Sequence, residues 1–199
     1  MKIFMKTACL AILFLAFAIC AASTASAGSQ GKKALLIVAK SDFSATEYSR
    51  TRSALESGGM DCTVASSAAG PCKGDSGKRA TAEMALSSVN AADYDAIVII
   101  GGNGIMKMWK NPEAHRIVQE AVAQDKVVAA ICAGPGILAH AGVMQGKRAT
   151  AYSGSPSSAL KEHGATYTGK KVEVDGRFIT GNGPKAASGF GKAIVAAFE

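Results

Sequence analysis

One stretch of the sequence, residues 126–140, constrains the fold more than any other. It reads KVVAAICAGPGILAH, and its apolar run Val127–Ile131 has the length and branching of a strand buried on both faces of a sheet. The residues after Gly134 favour a helix, because proline at position 135 suits a first helical turn. The stretch therefore predicts an α/β domain in which a buried strand passes into a helix at Cys132.

This turn also predicts a reactive side chain. Cys132 is flanked two positions away on each side by Ala130 and Gly134, and a sharp turn that pushes a nucleophile out over a sheet requires such small neighbours. A thiol at a helix N-terminus is also favoured as the thiolate by amide groups and the helix dipole. The alternative is an inert core cysteine. Because Gly-Pro follows the cysteine, we predict that Cys132 is a nucleophile with a lowered pKa.

The first 27 residues have the three parts of a cleaved secretory signal. Two lysines precede a charge-free apolar run over residues 8–22, and the sequence Ala-Ser-Ala follows directly before Gly28. The run is shorter than the roughly 20 apolar residues of a membrane-spanning helix. We expect a mature chain that begins near Gly28, is secreted or periplasmic, and does not contact a membrane after cleavage.

Residues 28–199 are expected to form a single α/β domain. The formal net charge falls from +7 to +5 when the two lysines of residues 1–27 are removed, and 172 residues are enough for a sizeable core. The basic residues are scattered and have no interleaved aromatic residues, which argues against a nucleic-acid partner. We expect neither a cofactor nor a metal.

Three cysteines follow residue 28: Cys62, Cys72 and Cys132. In an oxidising compartment Cys62 and Cys72 could pair and close a short loop, which would leave Cys132 free. Whether the pair forms depends on whether the two side chains face each other, and the sequence leaves this open.

Hydrophobic periodicity places the remaining elements. Buried strands are expected at 34–39, 62–65 and 96–100, with a shorter strand at 148–152 and a hairpin at 172–180. Helices are expected at 44–56, 112–124, 157–162 and 186–198, and the residues at 66–79 are expected to form a loop. Alternating helices and apolar strands predict a mostly parallel sheet covered on both faces.

Ligands of such sheets bind beyond the carboxyl ends of the strands. The backbone amides of Gly101 and Gly102, directly after a predicted strand, and of Ala133 could donate to an oxyanion near Cys132. A plain tight turn explains the two glycines almost as well. Glu47 falls early in the first predicted helix, where a lone acid is usually solvated or paired with the helix dipole. Spacing alone gives Glu47 no role.

Taken together, the chain resembles the PfpI family of the class I glutamine-amidotransferase-like superfamily, which includes an archaeal intracellular protease and the Parkinson-disease protein deglycase. The resemblance lies in FSATE at 43–47, IIGG at 99–102, AICAGP at 130–135, GKRAT at 146–150, VEVDG at 172–176 and TGNGP at 180–184. It implies a flavodoxin-like three-layer sandwich that forms a homodimer. It also implies that Cys132 is the nucleophile and that Glu47 is hydrogen-bonded to it, which makes sense only if Glu47 is protonated.

Two positions depart from the family pattern. Ala133 stands where the family proteases carry histidine, and Tyr152 stands where the deglycase branch carries histidine on the strand after the elbow helix. The sequence has three histidines, His115, His140 and His163. His140 would lie about 12 Å from Cys132 along a helix, and the other two are expected on separate helices at the surface. We therefore expect no Cys-His dyad.

Three functions remain open. The first is an exported enzyme, of the glyoxalase or deglycase kind, in which Cys132 adds to a small reactive carbonyl or protects against oxidative stress. The second is a non-enzymatic redox sensor or protective protein in which Cys132 is oxidised to the sulfinate. A cysteine peptidase is the weakest reading, because no base accompanies the nucleophile. The expected partners are a small-molecule substrate or oxidant and a second copy of the chain.

Overall fold

The computed structural model describes residues 28–199, so the expected secretory signal lies outside the described residues. The strands are β1 (Lys33–Ile37), β2 (Ser41–Phe43), β3 (Asp61–Ser66), β4 (Gly70–Gly74), β5 (Arg79–Ala82), β6 (Met84–Ala85), β7 (Ala96–Ile99), β8 (Val127–Ile131), β9 (Arg148–Ala149), β10 (Thr166–Tyr167), β11 (Val172–Asp175) and β12 (Phe178–Gly181). The helices are α1 (Ala45–Ser57), α2 (Asn103–Met106), α3 (Pro112–Ala123), α4 (Pro135–His140), α5 (Ser155–Glu162) and α6 (Ala187–Ala196). None of the helices between residues 28 and 199 combines the length and the apolarity that a bilayer-spanning segment needs.

A seven-stranded sheet forms the centre of the fold, in the order β11-β12-β8-β7-β1-β3-β6. All neighbouring strands are parallel except β11 and β12, which form the predicted hairpin. Every residue of β7 and β8 is buried, because both strands lie inside the sheet and helices pack on it. The parallel central sheet predicted from the apolar strands is confirmed.

Helices pack on this sheet in two groups. α1 and α6 pack closely against each other, and α3 packs against β8 and α4. α3 begins as predicted, since the Asn111 side chain accepts a hydrogen bond from the Ala114 N–H at 2.9 Å and Pro112 occupies the first turn. These groups leave the carboxyl ends of β1, β7 and β8 side by side, with Ile37 level with Ile99 and Ile99 level with Ala130.

The prediction of a loop at 66–79 is wrong. This segment contains β4 and leads into β5, which pair antiparallel and join β2 in a separate three-stranded sheet. The residues are rich in glycine and lysine, but alternate positions, Cys72, Gly74, Ala80 and Ala82, are buried, so the pattern is that of a sheet with one covered face. A turn at 75–77 joins the strands and carries Asp75, whose Oδ1 accepts a hydrogen bond from the N–H of Ala45, the first residue of α1 (2.9 Å).

The Cys62–Cys72 pairing that the sequence left open does not form, and both residues are free thiols. Cys62 lies on β3, level with Ala34 of the central sheet. Cys72 lies on β4, level with Ala80 of the three-stranded sheet, and is buried with its Sγ 3.7 Å from the Gly70 carbonyl oxygen. The two cysteines therefore belong to different sheets.

Candidate functional site

The predicted strand-to-helix turn lies at Cys132. β8 ends at Ile131, α4 begins at Pro135, and Cys132 between them has a φ of 63°. Residues with a side chain rarely adopt this left-handed conformation, and such strain concentrates at functional sites. Two backbone hydrogen bonds hold the turn, from Cys132 N to Gly181 O and from Gly134 N to Ile131 O, both at 2.8 Å. The half-buried Cys132 side chain faces the cleft at this end of the sheet.

Gly101 brings the end of β7 against this turn. A Cβ at residue 101 would lie 2.6 Å from both Cys132 Cβ and Glu47 Oε2, and 2.8 Å from Ile131 O. Any side chain at residue 101 would collide with these atoms. Glycine at this position therefore allows the Cys132 side chain and the Glu47 carboxyl to pack directly against the end of β7. The sequence predicted that Gly101 would meet Cys132, and it does.

Glu47 completes the site from the first turn of α1 and is fully buried. Its Oε2 accepts a hydrogen bond from the Gly101 N–H at 3.0 Å, and its carboxyl also interacts with the Cys132 thiol. Oε1 has no partner of ordinary hydrogen-bond geometry among the described residues. Burial raises the pKa of Glu47 to about 7, which the hydrogen bonds from Cys132 and Gly101 only partly oppose. Glu47 is therefore an acid that changes protonation near neutral pH.

The expectation of a lowered pKa at Cys132 is wrong for the thiol beside an ionised Glu47. Burial, followed by the negative charge of Glu47, raises the pKa of Cys132 to about 12, although the amides of Gly102 and Ala133 act in the opposite direction. The two amides thus lie near the sulfur as predicted. The Gly101 amide does not serve as predicted, because it donates to Glu47. Since carboxyl and thiol interact directly, they titrate as one pair that holds a single proton between its two steps.

The cleft in front of the sulfur is small and acidic. It has a volume of about 210 Å³ and is lined by Asp42, Ser44, Glu47, Asp75, Gly102, Asn103, Cys132, Tyr152 and Pro184. Four of these residues had no predicted site role: Asp42, Asp75, Asn103 and Pro184. Asp42 lies in the short strand β2 and Asp75 in the turn at 75–77. The left-handed backbone of Asp42, with a φ of 57°, is visible only in the structure.

The three histidines do not line this cleft, so the described residues contain no Cys-His dyad. His115 on α3 and His163 at the end of α5 lie on separate helices as expected, but both are half-buried and gather with His140 near Trp109. The ring of His140 lies 5.7 Å from that of Trp109 and 4.6 Å from that of His163, and His115 Nε2 lies 2.6 Å from Trp109 O. The indole Nε1–H donates to the carbonyl oxygen of Ala133 at 2.9 Å. The cluster therefore contacts the backbone of the turn through Trp109, and none of its members lines the cleft.

Among residues 28–199, no group of three or more His, Cys, Asp or Glu side chains has the arrangement of a metal site. The groups that the site itself offers are a thiol, a buried carboxyl, two backbone amides at the sulfur and the two exposed carboxylates of the cleft rim.

Comparison with known proteins gives consistent matches over this domain. The family model described as DJ-1/PfpI family matches residues 32–197. A deglycase of Pyrococcus abyssi is 31% identical over 150 residues, covering 75% of this chain and 90% of that protein. A glutathione-independent glyoxalase of Caenorhabditis elegans, DJR-1.2, is 30% identical over 168 residues, covering 84% and 89%.

A solved structure with a similar fold is the ThiJ/PfpI domain protein of Brachyspira murdochii. It superposes with a TM-score of 0.81 at 26% identity, covering 84% of this chain and 96% of that one. The match confirms the predicted flavodoxin-like α/β fold, in which a mostly parallel sheet carries the turn at its carboxyl edge.

Proposed function

The chain belongs to the DJ-1/PfpI family, and on that premise we propose that it is a cysteine-dependent enzyme acting on small reactive carbonyl compounds. Its relatives named deglycase and glyoxalase support a role of this class, in carbonyl removal and stress protection. The observation that carries the proposal is the fully buried Glu47, whose pKa is raised to about 7, next to the strained Cys132.

The reactive form is the pair that has lost one proton. Above about pH 7 the Glu47–Cys132 pair keeps a single proton, and when that proton sits on the carboxyl the sulfur is a thiolate. The thiolate adds to the aldehyde carbon of a substrate such as methylglyoxal. A C–S bond forms, the carbonyl π electrons move to oxygen, and this oxygen takes the proton that Glu47 holds. The amides of Gly102 and Ala133 lie beside the sulfur during this step.

The same carboxylate completes the reaction without a redox partner. It takes the hydrogen of the former aldehyde carbon as a proton, and the electron pair of that C–H bond forms an enediolate with the neighbouring carbonyl. The carboxyl then returns the proton to the neighbouring carbon, and the hydroxyl proton of the first carbon passes through the same carboxyl to the oxygen of the second. The first carbon is thereby oxidised and the second reduced, so the adduct becomes a thioester of lactate. Water then attacks the thioester and the C–S bond breaks. One proton of the water goes to the sulfur, which regenerates the Cys132 thiol, and the other passes to the buffer as lactate leaves. One carboxyl near neutral pKa thus carries each proton that a histidine base would carry elsewhere.

Turnover of methylglyoxal by the purified mature chain tests this proposal, with lactate measured as the product. Cys132→Ser should lower kcat/KM by about a thousandfold or more, since loss of a nucleophile removes the reaction path. Cys62→Ser, which changes a cysteine outside the cleft, is the matched control and should keep the activity. Absence of turnover in the unmodified protein, or full activity in Cys132→Ser, would refute the assignment.

A redox sensor is the second candidate, because the cleft contains no histidine base while the amides of Gly102 and Ala133 could donate to an oxidised sulfur. Limited peroxide should then convert Cys132 to the sulfinate before Cys62 and Cys72, as peptide mass spectrometry would show. Sulfinate formation in a protein that does not turn over methylglyoxal would favour the sensor.

Two further parts of the proposal concern the whole protein. Export predicts that mass spectrometry of the secreted or periplasmic protein finds an N-terminus near Gly28. A homodimer predicts a sedimentation mass about twice that of the mature chain. An intact Met1 on protein from the cytoplasm would refute export, and a monomer at micromolar concentration would refute the homodimer.

A further inference from the structure

A second, larger cleft adjoins the one that contains Cys132. Its volume is about 520 Å³, against about 210 Å³ for the Cys132 cleft, and Tyr152 and Pro184 line both. Tyr167, Asn182 and Lys185 belong to its other walls. A small dicarbonyl needs only the space in front of the sulfur, so the proposed reaction leaves the second cleft unused.

The position of Tyr152 connects the two clefts. Its backbone N–H donates to the backbone carbonyl oxygen of Cys132 at 2.9 Å, so this hydrogen bond fixes residue 152 next to the nucleophile residue. Its side chain is 54% exposed, and among residues 28–199 the only other exposed large apolar side chain is Val174. An aromatic ring left open beside a nucleophile offers a flat surface on which a planar group can stack.

The charges of the two clefts differ. Asp42 and Asp75 line the Cys132 cleft and disfavour an anionic group next to the reacting carbonyl. Lys185 and Asn182 line the second cleft, where they offer a positive charge and an amide to polar substituents. The combined space therefore suits a molecule with an uncharged carbonyl at one end and a flat, larger group at the other.

We propose that the second cleft is a subsite for the non-reacting part of the substrate, and that it selects carbonyl compounds bearing a planar ring that stacks on Tyr152. The inference rests on the proposed function for the reacting carbonyl at Cys132. The subsite itself is defined by the cleft, and ring binding beside Cys132 can be measured without turnover.

Alkylation of Cys132 measures the subsite directly. Phenacyl bromide carries an aryl ketone, and iodoacetamide is a small alkylating agent without a ring. In both reactions the sulfur displaces a halide, so that a C–S bond forms, the carbon–halogen bond breaks and the thiol proton passes to the buffer. The readout is the rate ratio of the two reagents at Cys132, followed by peptide mass spectrometry and divided by the same ratio for N-acetylcysteine.

A ring-binding subsite predicts a normalised ratio of about fivefold or more in the unmodified protein, the size expected of an aromatic contact. Tyr152→Ala should return the ratio to within about twofold of the free thiol, whereas Tyr152→Phe should keep the preference. Val174→Ala, at a similarly exposed apolar residue lining another groove, is the matched control and should leave the ratio unchanged. A ratio near one in the unmodified protein, as a second copy covering Tyr152 would give, overturns the proposal, as does a preference that survives Tyr152→Ala.

A measurement without substitutions covers the case in which Tyr152→Ala does not fold. Acetophenone should slow the reaction of Cys132 with iodoacetamide more strongly than acetone does at equal concentration. Equal protection by the two ketones overturns the subsite. If methylglyoxal is not turned over but the aryl preference is found, the proposed activity fails and the subsite stands. If methylglyoxal is turned over without an aryl preference, the subsite fails alone.

Discussion

Replacing Glu47 with glutamine should stabilise the protein, and the gain should grow with pH. The carboxyl is fully buried, and burial raises its pKa from 4.5 to about 7. Between these two values the folded chain binds more protons than the unfolded chain, so the free energy of unfolding falls as the pH rises. The contribution of the protonated carboxyl is complete below about pH 4.5 and is lost as the pH rises through about 7.

The size of this loss follows from the shift. At about 1.4 kcal/mol per unit, the change from 4.5 to about 7 corresponds to about 3 kcal/mol at pH 8. Glutamine has the same shape, cannot ionise, and keeps an oxygen that accepts from the Gly101 N–H. The Cys132 thiol does not interfere, because its pKa is about 12 in the folded protein and it titrates above this range.

Thermal and urea unfolding followed by circular dichroism at pH 4.5, 6 and 8 would measure the effect. The stability difference between Glu47→Gln and the unmodified protein should be about 3 kcal/mol larger at pH 8 than at pH 4.5, or about 6–12 °C in Tm for a domain of this size. Glu162→Gln, at an exposed position of α5, is the matched control. A difference that does not change between pH 4.5 and pH 8 would show that the pKa of Glu47 is not raised. The proposed role of Glu47 as the proton carrier in turnover would then fail as well.

Three other measurements test neighbouring parts of the structure. Methylglyoxal turnover should rise through about pH 7 as the Glu47–Cys132 pair loses its first proton, and a rate that is constant from pH 6 to 8 would contradict this. Gly101→Ala should cost about 2–3 kcal/mol in urea unfolding, because its Cβ would be forced against buried atoms, whereas Gly189→Ala in the exposed part of α6 should cost nothing. Although burial opposes it, hydrogen bonds and nearby positive charges lower the pKa of Glu173. Glu173→Gln should therefore destabilise the protein at pH 7, and the deficit should disappear as the pH falls through the folded pKa. A deficit of equal size at pH 3 and pH 7 would be the contrary result.

The elements that the sequence predicted well are those whose signals are local. β8 agrees residue for residue with its apolar run, and α3 begins at the predicted Asn111 and Pro112. The turn at Cys132 was visible because small residues and a proline surround it. In each case the residues that determine the element are neighbours in the chain, so their pattern can be read without knowledge of the fold.

The features that the sequence missed depend on contacts between distant segments. β4 pairs with β5 on one side and with β2, some thirty residues earlier in the chain, on the other. The Gly- and Lys-rich composition of the segment gives no sign of these pairings. Burial by the surrounding elements raises the pKa of Cys132, and the charge of Glu47, 85 positions away, raises it further, so a rule based on the helix N-terminus alone gave the wrong direction. The histidine cluster is of the same kind, since three helix-end or helix-surface residues meet only after α3, α4 and α5 have packed.

Trp109 gives the protein a built-in optical probe. It is the only tryptophan in the sequence, and its indole N–H is bonded to the carbonyl oxygen of Ala133, one residue after Cys132. Indole emission responds to the polarity and hydrogen bonding around the ring, and the imidazole of His140 lies 5.7 Å away. All of the tryptophan emission therefore comes from a ring that is hydrogen-bonded to the nucleophile turn. Binding, oxidation or alkylation at Cys132 can be followed in real time on the unlabelled protein.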